Sequence, residues 1–148
     1  DMSDAGAATF NSTVTATGAT INGTLDIEEV YEKVNISNGT SGAITLNTQE
    51  QGVIFYNVNQ TANRTINFSN VDANLAVGQS ITVAVLMAQG STAYYLNGYS
   101  VDGSSVTPKW VGGAPTAGTA SAVNTYTFTI IKTASATFTV LASLTAYV

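Results

Sequence analysis

The 148-residue chain has no cysteine, no histidine, only two prolines and very few charges, four basic and nine acidic. Each shortage excludes something. Without cysteine there is no disulfide framework, thiolate metal site or thiol nucleophile. Without histidine there is no Ser-His-Asp triad and no imidazole–zinc site. The four cations, Lys33, Arg64, Lys109 and Lys132, are scattered. Phosphate-backbone binding needs clustered basic groups, so no nucleic-acid partner is expected. No apolar run approaches the ~20 residues of a membrane span, so no membrane insertion is expected.

What the chain does have is threonine, 23 residues, with 13 serines and 13 asparagines. Near the N-terminus, Ala8-Thr9-Phe10-Asn11-Ser12-Thr13-Val14 aligns with Ala19-Thr20-Ile21-Asn22-Gly23-Thr24-Leu25. Each unit is a short extended stretch broken by a turn dipeptide. Two apolar side chains per unit cannot offset an ordering entropy of ~1–2 kcal/mol per residue. Such units gain a core by stacking or by meeting copies in other chains. Residues 1–30 therefore read as a repetitive, intertwined β stalk with Phe10, Val14, Ile21 and Leu25 in its trimeric core. Next, Ile27, Val30, Tyr31 and Val34 fall at helical spacing, with Asp26 and Glu29 placed as a capping box. One or two helical turns are expected over Asp26–Val34, joining stalk to head, while Val30-Tyr31 and Val34-Asn35-Ile36 also suit a strand.

From residue 35 the pattern is that of strands. Ala43–Thr48, Gly52–Asn59 and Thr65–Ser69 each carry short β signals. Ser80–Ala88 is apolar on both faces, the mark of a strand covered on both sides. Ala93–Val101 is tyrosine-rich, and Asn124–Lys132 and Ala136–Val148 alternate cleanly. Turn-residue clusters at near-regular spacing predict an all-β, antiparallel, jelly-roll-like sandwich over residues 31–148. The one long irregular stretch, Asp102–Val123, holds both prolines and the sole tryptophan.

Beyond the stalk and its joint, the acids Glu50, Asp72 and Asp102 are isolated. Glycoside hydrolysis needs paired carboxylates, and a calcium loop needs several oxygen ligands in close succession, for which Asp102-Gly103-Ser104 is too poor. No enzyme activity, catalytic residue, metal site or cofactor is expected. Seven Asn-x-Ser/Thr tripeptides, the last at Asn67 in a strand, follow from the composition. The best recognition candidates are Tyr94, Tyr95, Asn97, Tyr99 and Trp110, since tyrosine and tryptophan bury area while keeping a polar handle. Adjacent Tyr94 and Tyr95 must face opposite sides of a strand, and Trp110 between prolines also suits the pinning of a loop.

Several stretches resemble virion structural and tail-fibre-like proteins of the T-even-like myoviruses that infect cyanobacteria. They are Glu32-Lys33-Val34-Asn35-Ile36-Ser37, Val53-Ile54-Phe55-Tyr56 with Gln60 to Phe68, Tyr94-Tyr95-Leu96-Asn97-Gly98-Tyr99, and Trp110 through Pro115 running on to Tyr126–Ala134. The resemblance covers about residues 32–148, and the repeat before it is similar to stalk segments of such proteins. It implies a homotrimeric β appendage on the virion surface. Other virion proteins would meet its N-terminal side, and a host-surface glycan or protein its far end. The alternative it leaves open is a purely architectural capsid-fibre, decoration or baseplate subunit. It transfers no catalytic residue.

Overall fold

The computed structural model describes residues 23–148. The chain divides after Val30, and the fold below is that of the unit Tyr31–Val148. Phe10, Val14 and Ile21 lie outside the described residues, while Leu25 is described and exposed. No helix forms over Asp26–Val34, contrary to the spacing of its apolar residues. A one- or two-turn helix bears the full nucleation cost and needs a packed face to offset it. Val30 and Tyr31 are 71% and 87% exposed, so that face has no burial to supply.

Ten strands and one helical turn follow. The strands are β1 (Val34–Ser37), β2 (Ile44–Asn47), β3 (Val53–Tyr56), β4 (Arg64–Ser69), β5 (Ser80–Ala88), β6 (Leu96–Val101), β7 (Ser104–Ser105), β8 (Lys109–Trp110), β9 (Val123–Ala134) and β10 (Thr137–Tyr147). The helical turn, α1 (Val71–Asn74), lies between β4 and β5. One sheet has the order β1-β3-β5-β9-β10-β8 and the other β2-β4-β6-β7. Both are mixed. The pairs β1–β3, β3–β5, β2–β4, β4–β6 and β8–β10 are parallel. Only β5–β9, β9–β10 and β6–β7 are antiparallel.

The fully antiparallel expectation is thus corrected, and the cause is in the connections. From β1 to β6 the chain alternates between the sheets, so each strand lies beside the one two places earlier. After two crossings the chain runs in its starting direction, and the neighbours are parallel. Side-chain alternation has a period of two residues in either arrangement, so it carries no information on direction. The irregular stretch Asp102–Val123 also contains two short strands. Asp102 and Gly103 take φ of 47° and 81° to turn β6 tightly into β7, a conformation suited to an Asp-Gly pair.

The sheets face each other across one core. Ile44, Leu46, Ile66, Phe68, Leu96 and Val101 come from the four-stranded sheet. Val83, Val85, Met87, Tyr126, Phe128 and Ile130 come from the six-stranded sheet. Phe68 and Phe128 meet edge to face across the layers, 4.9 Å between centroids. Fully burying a side chain of this size contributes about 1.5–3 kcal/mol.

Two acids and a lysine close one end of the sandwich. Asp102 accepts the first N–H groups of α1, from Val71 at 3.2 Å and Asp72 at 2.7 Å, and so caps the turn from a distant loop. Lys132 continues the inward-facing series of β9 and is buried. Its Nζ donates to the carbonyls of Asp72 and Leu75 and pairs with the Asp72 carboxylate at 2.8 Å. That carboxylate also accepts the Ala136 N–H. The hydrogen bond from Lys132, then that from Ala136, holds the Asp72 carboxyl below its ordinary value of 3.8. A depressed carboxylate adds stability above its unfolded pKa and loses it as pH falls through the folded one. The expected result is that Asp72→Asn is less stable than the parent at pH 6, with the gap closing below about pH 4, as urea melts at both pH values would read.

Candidate functional site

The five recognition candidates divide between two places, and a bulge decides where they go. In β6 the register against β4 shifts after Leu96, which pairs with Arg64, while Gly98 pairs with Thr65. Asn97 is the extra residue and stays exposed. Leu96, Tyr99 and Val101 then all point into the sandwich, although strict alternation would put Leu96 and Tyr99 on opposite faces. Gly98 is needed here because a side chain would run into the Thr65 methyl.

Tyr99 packs edge-on against Trp110, 5.5 Å between centroids, and near Phe128 at 5.9 Å. Trp110 also contacts Phe128 and Tyr126 at 5.9 and 6.4 Å. It sits on the inner side of β8, opposite Ala142 of β10, and seals the open edge of the sandwich while staying half-exposed. The Tyr99 hydroxyl donates to the Leu96 carbonyl, and burial raises its pKa. Burial likewise pushes Tyr126 up to about 12, against the N–H of Leu96 that donates to its hydroxyl. Both phenols are neutral hydrogen-bonding groups at physiological pH.

Asn97, Tyr99 and Trp110 line one cleft of about 270 Å³, together with Ser105, Thr107 and Pro108. Tyr94 and Tyr95 do not line it. They precede β6, where the Tyr94 N–H donates to Gln89 Oε1 and the Tyr95 N–H to Asn63 Oδ1. The acids Glu50, Asp72 and Asp102 contribute nothing to the cleft. Among the described residues, no cluster of three or more acids could hold a metal ion, and no helix is long and apolar enough to cross a membrane.

Beside this end lies a buried polar layer that the sequence did not announce. Gln60, Arg64, Gln89 and Asn124 are each at most 5% exposed. The Arg64 guanidinium has no carboxylate partner among the described residues. It donates to the Gly42 and Gly39 carbonyls and to Gln60 Oε1, and lies 4.1 Å from the Tyr56 ring centre. Burial lowers its pKa and raises that of Tyr56.

The larger surface feature is the outer face of the six-stranded sheet. Register places its side chains in rows across the strands. One row runs Ile36, Phe55, Leu86, Thr125 and Thr145. The next runs Val34, Val53, Ala84, Thr127 and Ser143. A third runs Thr82, Thr129 and Leu141, and ends at Lys109 on the edge strand. Lys109 is the one charge in these rows, and it stands at the rim. At ~4.8 Å between strands and ~6.8 Å between same-face neighbours, the rows cover on the order of 500 Å². Half of the fourteen residues in these rows are apolar, interleaved with threonines and one serine. Ile36, Val34 and Leu141 are 63%, 45% and 42% exposed. The hydroxyls of Thr82 and Thr129 bond each other at 3.0 Å, which removes part of their demand for water.

This face is the second half of the pattern read in Ser80–Ala88. Val83, Val85 and Met87 are buried in the sandwich, but Ala84, Leu86 and Ala88 are only half-buried. The unit Tyr31–Val148 covers one face of a strand whose sequence is apolar on two. No protein-family model matches the chain, and comparison with curated proteins and with solved structures gives no significant match.

Proposed function

We propose that this chain is a self-assembling head domain of a virion appendage, a homotrimer whose exposed edges contact the host cell surface. The observation that carries the reading is the outer face of the six-stranded sheet. A sheet face of aliphatic residues, phenylalanine, threonine and serine with its one charge at the rim is the composition of a surface made to be covered. Identical copies supply a cover of the same kind, and closed rotational symmetry limits the assembly to a defined number. The resemblance to tail-fibre-like proteins points to three. Three such faces turned towards a common axis would bury Leu86 and Phe55 and leave the four-stranded sheets outside. Three weak sites on one rigid body then bind by effective concentration, with no chemistry required.

The function is tested with fluorescently labelled chain offered separately to cyanobacterial host cells and to empty capsids. Saturable binding to cells supports an adhesive head. Binding to capsids alone would make the protein architectural.

A further inference from the structure

We propose that the cleft between β7 and β8 is a binding site for a neutral saccharide, with Trp110 as its apolar wall. The inference rests on the adhesive reading above and names the ligand class for that same edge of the domain. Four observations carry it. The cleft is open to solvent and, at about 270 Å³, has room for a sugar ring to lie in it. Its aromatic wall is held in place. Trp110 is wedged among Tyr99, Tyr126 and Phe128, and the backbone beside it is tied by Val111 N–H to the Ala142 carbonyl at 3.0 Å. An aromatic ring fixed in this way meets apolar C–H groups without an ordering cost on binding. The rim is polar: Asn97, Ser105 and Thr107 are exposed and offer a carboxamide and two hydroxyls at the mouth. Asn97 is placed there by the bulge, which turns its neighbour Tyr99 inward.

The charge pattern selects the ligand. Among the described residues no carboxylate or cation lines the cleft, and Lys109 of the same strand is on the opposite face, opposite Leu141. An acidic or basic ligand would lose hydration without meeting a counter-charge. A neutral sugar needs only hydroxyl and amide partners along its edge and an apolar surface under its ring.

Trp110 is the sole tryptophan of the chain, so its emission reports the cleft directly. The test titrates the full 148-residue protein with the methyl glycosides of glucose, galactose, mannose, N-acetylglucosamine, fucose and rhamnose, and with glucuronic acid. The expected result is a saturable change in emission for at least one neutral glycoside, with a dissociation constant on the order of 1 mM, as for a small, singly held ligand. Glucuronic acid should bind at least 10-fold more weakly. Asn97→Ala and Thr107→Ala, both at exposed positions, should weaken the neutral ligand 5-fold or more with an unchanged melting temperature. No response to any neutral glycoside up to ~100 mM, equal binding of glucuronic acid, or full binding by both variants would overturn the site. The assembly mass of the same samples separates the two ideas. A threefold mass with no sugar response removes only the cleft, and a sugar response at single-chain mass removes only the trimer.

Discussion

Phe128→Ala is expected to lose about 3–5 kcal/mol of unfolding free energy, the range for truncating a large buried aromatic. The ring is fully buried and central to the aromatic cluster. It meets Phe68 across the layers at 4.9 Å, Tyr99 and Trp110 at 5.9 Å, and lies parallel to Tyr126 at 6.4 Å. Removing it opens a void between the two sheets and loosens Trp110, the seal of the sandwich edge. Both consequences are measurable in one experiment. Urea melts at fixed protein concentration should give the free-energy loss, and Trp110 emission should shift to the red in the folded baseline. Thr129→Ala, one residue on but on the outer face, should cost under ~1 kcal/mol within the chain. A loss below ~1 kcal/mol for Phe128→Ala would contradict the shared core.

The second large effect concerns the outer face. Leu86→Lys is expected to change the assembly, not the fold. Leu86 sits between Phe55 of β3 and Thr125 of β9, in the middle of the uncharged rows. Its side chain points away from the core, so an ammonium there can reach water in the single chain. In a trimer closed on this face the same ammonium is buried among apolar groups, at a penalty of several kcal/mol per charge. Three copies at one interface would also repel one another. The expected outcome is a single-chain mass with the parent's circular dichroism spectrum. Lys109→Glu, at the rim, should leave the assembly intact, since rim charges contribute little.

Much of the architecture was legible because strands announce themselves by alternation. Tyr126, Phe128 and Ile130 opposite Thr125, Thr127 and Thr129 gave β9 its two faces, and the structure buries the first set in the core. Strand direction was not legible, since parallel and antiparallel neighbours share the same two-residue period. The helical stripe at Ile27, Val30, Tyr31 and Val34 misled because periodicity reports a face without saying whether anything covers it. The reverse happened at α1. Val71–Asn74 is too short to show a period, and it is held by Asp102 and Lys132 from distant parts of the chain. The bulge at Asn97 was likewise hidden. It makes Leu96 and Tyr99 share a side, and with Trp110 it builds a cleft that excludes Tyr94 and Tyr95. The outer face did leave a trace, in a β5 apolar on both sides. Only the fold shows that, within the unit Tyr31–Val148, one of those sides has no cover.

In the proposed assembly, copies of this chain supply that cover. Light scattering on the purified 148-residue protein, read across a tenfold range of concentration, tests it most directly. The expected result is a particle of about three times the chain mass of 15.2 kDa, held across the range. A particle of 15.2 kDa at every concentration would contradict it.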